Sequence, residues 1–423
     1  VSDDKQWVAL LHRPGAPGIV ELAQPEEKLA GLRINPAIFA PSRSTGYTGI
    51  ELRSLVTGEK VPVSDLPEGK VMNAAFSPDS KNLAFILETS AGLSLWNYRL
   101  ETGTTSQVAS EFINASLRGS KFRWKHDSSG FYTRLTVSSA DQKPQQSVTD
   151  IKPVIQTTTG QKAAVRTYSN LLKTPYDGDL FEFLTTSRIA DISLNGEIRL
   201  LGKAGMYKSF TASPDGQYLL VSQLKRPFSY LVPQSRFPLL TEVWTTDGEL
   251  VTQVADLPSG ETIPKGFDSV IEGRRSIAWR GDKAATLVWA EALDGGDMNT
   301  EAEHHDSVYT WDAPFKQAPQ LLLNIERRFA GIEWGNADFA IVTDWRFSDR
   351  QLRAWKFSPA SPGADKALFQ QRSYNDRYND PGNFVTEKNE FGVDVIKVFG
   401  DNNKVLLTGR GASPEGNIPF MDE

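Results

Sequence analysis

The chain has 423 residues, a net charge of −6 and no cysteine. Its 39% hydrophobic and 23% charged content is that of a globular protein, and its pI of about 5.5 argues against the clustered basic surface of nucleic-acid binders. Disulfides, thiolate nucleophiles and Cys-ligated zinc are excluded. No apolar run approaches the ~20 residues of a membrane span, and no signal peptide is visible at the N-terminus. A cysteine-free chain fits export from a bacterium and many cytosolic proteins alike, with export slightly favoured.

The chain opens with Val1-Ser2-Asp3-Asp4-Lys5-Gln6-Trp7-Val8, which reads as a Ser-Pro-Asp type turn entered midway. Between Gln24 and Tyr47, Pro25-Glu26-Glu27-Lys28 is expected to open a helical turn, with Pro at its first position. A turn flanked by strand-like runs then recurs. Ala75-Phe76-Ser77-Pro78-Asp79-Ser80 leads into Leu83-Ala84-Phe85-Ile86, and Thr211-Ala212-Ser213-Pro214-Asp215-Gly216 leads into Tyr218-Leu219-Leu220-Val221. Looser copies turn at Trp124-Lys125-His126-Asp127, Trp279-Arg280-Gly281-Asp282 and Trp334-Gly335-Asn336. Each is followed by a second hairpin, often with Trp in its strand and Asn-Gly or Asp-Gly at its turn, where positive φ is required. Trp96, Trp124, Trp244, Trp279, Trp334 and Trp355 are read as packing residues between sheets, not ligand contacts.

A repeat of roughly 45 to 65 residues built from short strands points to an all-β β-propeller of about seven four-stranded blades, the first and last incomplete. Ser138–Arg188 interrupts the period. Its first part is polar, and Tyr168–Ile189 has the spacing of a short helical pair, so the stretch reads as a partly helical insertion in a propeller spanning 1–423. Gly416-Asn417-Ile418-Pro419-Phe420 stops where an outer strand is expected to begin.

Longer ordered motifs carry a resemblance. They include Glu21-Leu22-Ala23-Gln24-Pro25-Glu26-Glu27-Lys28-Leu29-Ala30-Gly31-Leu32-Arg33-Ile34, then Tyr176-Asp177-Gly178-Asp179-Leu180-Phe181, then Arg226-Pro227-Phe228-Ser229-Tyr230. Glu242-Val243-Trp244-Thr245-Thr246-Asp247-Gly248, Trp289-Ala290-Glu291, Asp294-Gly295-Gly296-Asp297 and Gly411-Ala412-Ser413-Pro414-Glu415-Gly416-Asn417-Ile418-Pro419-Phe420 continue it. Along nearly its whole length the chain resembles the glutamyl endopeptidases of chloroplasts and their bacterial relatives, within the prolyl oligopeptidase superfamily of serine peptidases. The resemblance covers the N-terminal β-propeller of such enzymes. It implies an α/β-hydrolase domain that is absent from this chain and would carry the Ser–Asp–His triad, cleavage of peptides on the carboxyl side of Glu, and no metal or organic cofactor. The Gly-x-Ser-x-Gly nucleophile elbow is missing. Gly411-Ala412-Ser413-Pro414-Glu415-Gly416 comes nearest, but its second Gly falls one residue late and Pro414 removes the N–H an oxyanion hole needs, so Ser413 is read as a turn residue. No catalytic residue is therefore expected in this chain, and alone it is expected to be inactive.

Holding a Glu side chain calls for arginine, whose planar fork grips a carboxylate in two places. Arg226 and Arg236, in a Pro- and aromatic-rich loop, and Arg275, beside an inner strand, are the leading substrate contacts. Arg274, Arg328, Arg350 and Arg353 are further candidates, and Glu291 is expected at a channel or its mouth. Tyr230 and Phe237 are read as core packing. His304-His305-Asp306 is read as an exposed loop, since neighbouring strand residues point to opposite faces. Asp294-Gly295-Gly296-Asp297 is read as a hairpin turn with solvated carboxylates, too few for calcium. The expected partners are a peptide or unfolded-protein substrate and the protein's own hydrolase domain, with homo-oligomerisation left open and no nucleic acid or membrane. Two other classes stand beside this: a non-catalytic protein-binding propeller, and a metal-dependent or glycan-processing propeller enzyme with carboxylates from several blades.

Overall fold

The computed structural model describes residues 1–137, 142–146, 167–400 and 404–423. The chain divides into two compact units, Val1–Thr211 with Leu219–Glu261, and Ala212–Tyr218 with Thr262–Glu423. Both are built from antiparallel meanders of the kind that forms a propeller blade.

In the first unit, a three-stranded sheet (Trp7–His12, Gly49–Ser54, Lys60–Pro62) precedes a four-stranded one (Lys70–Phe76, Asn82–Glu88, Leu93–Arg99, Thr104–Gln107). A seven-stranded sheet follows, from Phe122–Trp124 to Leu250–Leu257. It is two four-stranded meanders sharing one long strand, Ile198–Ala212, whose first part pairs with Ser187–Ser193 as an outer strand and whose later part neighbours Tyr218–Leu224 as an inner one. In the second unit, two four-stranded meanders run from Arg275–Trp279 to Gln320–Ile325 and from Arg328–Asn336 to Ala367–Ser373, and residues 383–422 form short two- and three-stranded ladders. The all-β class built of blade-like sheets is the architecture that the repeat predicts.

Strand burial explains the sequence. Leu83, Phe85 and Leu87 pack with Ile50 and Leu52 of the preceding sheet, while Ala84 and Ile86 pack with Phe131 and Ile192 of the following one. In the second unit, Ala340 and Val342 join Val288 and Val308, whereas Phe339 and Ile341 join Ile396 and Val405. A strand covered on both faces needs apolar residues at every position rather than at alternate ones.

The recurrent turn is a hydrogen-bonded device. Ser77 Oγ donates to Asp79 Oδ1 at 2.6 Å and accepts from Asn82 N–H at 3.0 Å. Ser2 and Asp4 repeat this at 2.5 Å, with Trp7 N–H at 2.9 Å. Ser213 and Asp215 repeat it at 2.5 Å, with Tyr218 N–H at 3.0 Å. The fourth residue takes positive φ each time: Lys5 at 61°, Ser80 at 59° and Gly216 at 71°. At Trp279-Arg280-Gly281-Asp282, Arg280 plays the serine's part and forks onto Asp282 at 3.0 and 2.7 Å. Neighbouring turns of the first unit are linked in series. Asp4 N–H donates to Ser80 Oγ, and Asp79 N–H to Ser128 Oγ, both at 3.0 Å.

Two local expectations are corrected. Pro25–Lys28 opens no helical turn: Glu27–Leu29 is a strand paired with Leu32–Asn35, and the short helix lies earlier, at Ile19–Leu22. Glu27 and Leu29 alternate toward the core of that small sheet, which a helix would not allow. In place of a helical pair there is one helix, Pro175–Thr185. Its N-cap Thr174 accepts from Asp177 N–H at 3.2 Å, and Asp177 returns a bond to Thr174 N–H at 3.0 Å. Leu180, Phe181 and Leu184 bury its inner face with Leu29, Ile34, Val232 and Phe237. The rest of the polar stretch, 138–141 and 147–166, lies outside the described residues.

Candidate functional site

The sequence-predicted arginines fall into separate clusters. In the first unit, Arg226 and Arg236 share the loop that covers helix Pro175–Thr185. Arg226 reaches that helix, donating to Glu182 Oε2 at 2.6 Å and Asp179 Oδ1 at 2.7 Å, with its guanidinium 4.7 Å from the Phe228 ring centroid. Arg236 lies on a 3-10 turn, Gln234–Arg236, 5.9 Å from the Tyr168 ring. Among the described residues, no carboxylate lies within ion-pair distance of it. Phe237 is core, stacked on Phe228 at 5.2 Å, whereas Tyr230 is 46% exposed, against the packing role expected of it. The Pro-rich loop turns its ring outward there, while Ser229 beside it is buried and ties down the N–H groups of Leu231 and Val232.

In the second unit, Arg275 and Arg328 meet on one buried carboxylate. Arg275 pairs with Asp306, and Arg328 donates to Asp306 Oδ1 at 2.9 Å and Asp294 Oδ2 at 2.6 Å. Arg328 also donates to the carbonyls of Asp268 at 2.7 Å and His305 at 3.1 Å. His305 Nδ1 lies 2.7 Å from Asp294 Oδ2. Burial disfavours charge on both aspartates. For Asp294 the bonds from Arg328 and His305 win, and its carboxyl is held below the usual range. For Asp306 burial wins despite Arg275, and its carboxyl is pushed up.

This network corrects two expectations. Asp294 is no solvated turn residue and His305 no exposed loop residue, because Arg328 enters the sheet edge between them and its charge must be met there. Arg274 lies 4.6 Å from the Trp289 ring centroid, with Nε 3.6 Å from Glu291 Oε1, which also accepts from Trp289 Nε1 at 2.7 Å. Arg353 forks onto Asp344 at 2.9 and 2.7 Å, and Arg350 donates to Tyr374 Oη at 3.0 Å. Among the described residues there is no group of three His, Cys, Asp or Glu that could hold a metal ion. Ser413 Oγ donates to Gly416 O at 2.7 Å inside a two-residue ladder, as a turn residue does.

Sequence reasoning passed over a different set of cations in the first unit. Lys121 precedes and Arg123 stands on the strand Phe122–Trp124, alternating with buried Phe122 and part-buried Trp124. Lys208 stands on the inner part of the long strand, between buried Tyr207 and Phe210. Arg134, 1% exposed, ties the chain before that strand to the long strand by donating to Leu117 O at 3.1 Å and Tyr207 O at 2.6 Å. Gly119, at φ +128°, passes so close that a Cβ there would stand 3.2 Å from Lys208 O. The Trp124 indole donates to Ala75 O at 3.0 Å and draws the neighbouring inner strand alongside.

Among the described residues, none of Lys121, Arg123 and Lys208 has a carboxylate within ion-pair distance. Burial lowers the pKa of all three, and Arg134's charge lowers that of Lys121 further, with Glu88 opposing. Burial also brings Arg134 down to about 10. The missed signal is register: Lys121 and Arg123 stand four and two residues before the turn at Lys125, and Lys208 five before the turn at Ser213.

No protein-family model matches the chain. Two curated relatives match all of it, both named "Probable glutamyl endopeptidase, chloroplastic": one from Oryza sativa subsp. japonica, 35% identical over 440 residues, and one from Arabidopsis thaliana, 36% identical over 441. The chain covers 47% and 46% of them, so it spans about half the length of the relatives it matches. Among solved structures, the tricorn protease aligns loosely with 91% of this chain and 33% of its own, at 9% identity and a TM-score of 0.42. Along its whole length the chain is similar to the glutamyl endopeptidases, the family whose motifs its sequence carries.

Proposed function

We propose that this chain is the propeller portion of a serine endopeptidase that cleaves peptides on the carboxyl side of Glu, and that it gates and shapes substrate access. The observation that carries this reading is the 35% identity to a chloroplastic glutamyl endopeptidase over all of the chain. The described blades support it, since such sheets restrict what can reach a neighbouring catalytic domain. The chemistry belongs to that domain: acyl-enzyme formation by a Ser–His–Asp triad with an oxyanion hole. In this reading the chain by itself is inactive.

The test is a cleavage map. A mixed peptide library is incubated with this chain and, separately, with a longer protein that joins it to its hydrolase domain, and the products are read by mass spectrometry. The reading expects no products from the chain alone and cuts after Glu from the longer protein. Reproducible cutting by this chain alone, or cutting by the longer protein with no bias to Glu, would overturn it.

A further inference from the structure

We propose that Lys121, Arg123 and Lys208 form a binding site for the acidic side chain of a peptide, set on the inner strands of the first unit and braced by Arg134. The inference rests on the peptidase reading and names the group in this chain that would meet an acidic substrate.

Three observations converge. The first is placement. Arg134 spans Leu117 O and Tyr207 O, tying the chain that leads into the strand Phe122–Trp124 to the residue before Lys208. Gly119 passes close alongside: a Cβ there would stand 3.2 Å from Lys208 O. On the strand, Phe122 faces the core, so Lys121 and Arg123 lie away from it.

The second is the missing counter-charge. Several buried guanidiniums of this chain are met by carboxylates, as Arg328 is by Asp294 and Asp306, and Arg280 by Asp282, while Arg134 is met by backbone carbonyls. Among the described residues, Lys121, Arg123 and Lys208 have no carboxylate within ion-pair distance. Glu88 acts on Lys121 electrostatically but stands beyond ion-pair distance, and burial disfavours its charge. The neighbouring Lys70 is already taken by Glu21 at 2.6 Å. Burial disfavours the charge on each of the three, and Arg134 adds repulsion at Lys121; an incoming anion relieves that cost.

The third is chemistry. Arg123 offers a fork and the two lysines offer point charges, a set that suits one carboxylate and its neighbouring carbonyls. Arg123 remains solvent-exposed, so a ligand can reach it.

The experiment measures calorimetric binding to the 423-residue chain of a peptide with one Glu, and of the same peptide with Gln. The wild-type chain should prefer the Glu peptide, with an affinity that falls as salt rises. Arg123→Gln and Lys208→Met should each weaken it about tenfold, the size expected for one charge-assisted hydrogen bond, and leave the Gln peptide unaffected. Lys81→Gln, an exposed turn residue, should change nothing. Equal binding of both peptides, or loss of preference in Lys81→Gln as well, would overturn the site.

A second arm separates this inference from the reading beneath it. If the longer protein cuts after Glu and Arg123→Gln leaves its Glu-over-Gln ratio of kcat/KM intact, the site falls and the peptidase reading stands. If the longer protein shows no Glu bias while this chain still binds the Glu peptide selectively, the reading falls and the site stands.

Discussion

Replacing Arg328 by Met tests whether that arginine is structural or meets substrate. Its side chain is 2% exposed and makes four hydrogen bonds, to Asp306 Oδ1, Asp294 Oδ2 and the carbonyls of Asp268 and His305. Met keeps much of the volume and removes every donor. Asp306 would retain Arg275 and the Phe329 N–H, and Asp294 would retain His305 and the Gly296 N–H, so neither carboxylate is fully abandoned. Breaking a buried pair from one side costs about 3–5 kcal/mol. The surviving partners argue for the lower end, and the two orphaned carbonyls add about 1 kcal/mol each, so the estimate stays near 3–5 kcal/mol. Urea unfolding should show the loss as a lower midpoint, and hydrogen exchange should show it as lost protection in peptides covering Asp294 and Asp306. Binding of a Glu peptide under folding conditions should be unchanged. A stability change below about 1 kcal/mol, together with lost Glu-peptide binding, would refute the structural assignment and make Arg328 a substrate contact.

Other outcomes follow from the same geometry. Ser77→Ala removes the acceptor for Asn82 N–H and the donor to Asp79 at a position 1% exposed, and should destabilise by about 1–3 kcal/mol; an unchanged urea midpoint would contradict the turn's role. Thr174→Ala deletes half of a capping box and should cost about 1 kcal/mol, read as faster exchange in the first turn of helix Pro175–Thr185. The Asp349 carboxyl is held down to about 2, first by the bond from Arg346, against an ordinary 3.8. Its stabilisation is therefore complete above pH ~4 and is lost as pH falls toward ~2, worth under about 1 kcal/mol because water screens the part-exposed pair. Carboxyl NMR should place its midpoint there, and Arg346→Gln should raise it.

The repeat was legible because it is written in residues whose chemistry leaves little choice. A Ser two positions before an Asp, with a positive-φ residue next, can close its turn in one way, and Ser2, Ser77 and Ser213 all close it so. Even Arg280–Asp282, which shares only the carboxylate, keeps the bond. The region from Gln24 to Tyr47 was misread because Pro25 before two glutamates satisfies a helix-start rule, while the pairing of Glu27–Leu29 with Leu32–Asn35 depends on the tight turn at Ala30 and Gly31, whose φ values are 48° and 82°. The shared long strand Ile198–Ala212 was hidden for a different reason. A strand serving two sheets carries no turn where one sheet ends, so the period alone cannot show the join.

The site was harder to read because arginine serves two opposite purposes, and sequence shows only the residue type. What separates them is where the negative charge comes from. Arg328, Arg275, Arg353 and Arg280 each have a carboxylate from their own chain, supplied by a nearby turn or strand, and their forks are filled. Arg226, which heads the sequence-derived list, spends two donors on Glu182 and Asp179. Filled forks hold sheets and helices together; substrate would have to displace a carboxylate already aligned at 2.6–2.9 Å. Among the described residues, Lys121, Arg123 and Lys208 have no such partner, and Arg236 lies over the face of Tyr168 with no carboxylate within ion-pair distance. A cation without an internal partner has most to gain from an acidic ligand, which sets these three cations and Arg236 apart from the arginines whose forks are already filled.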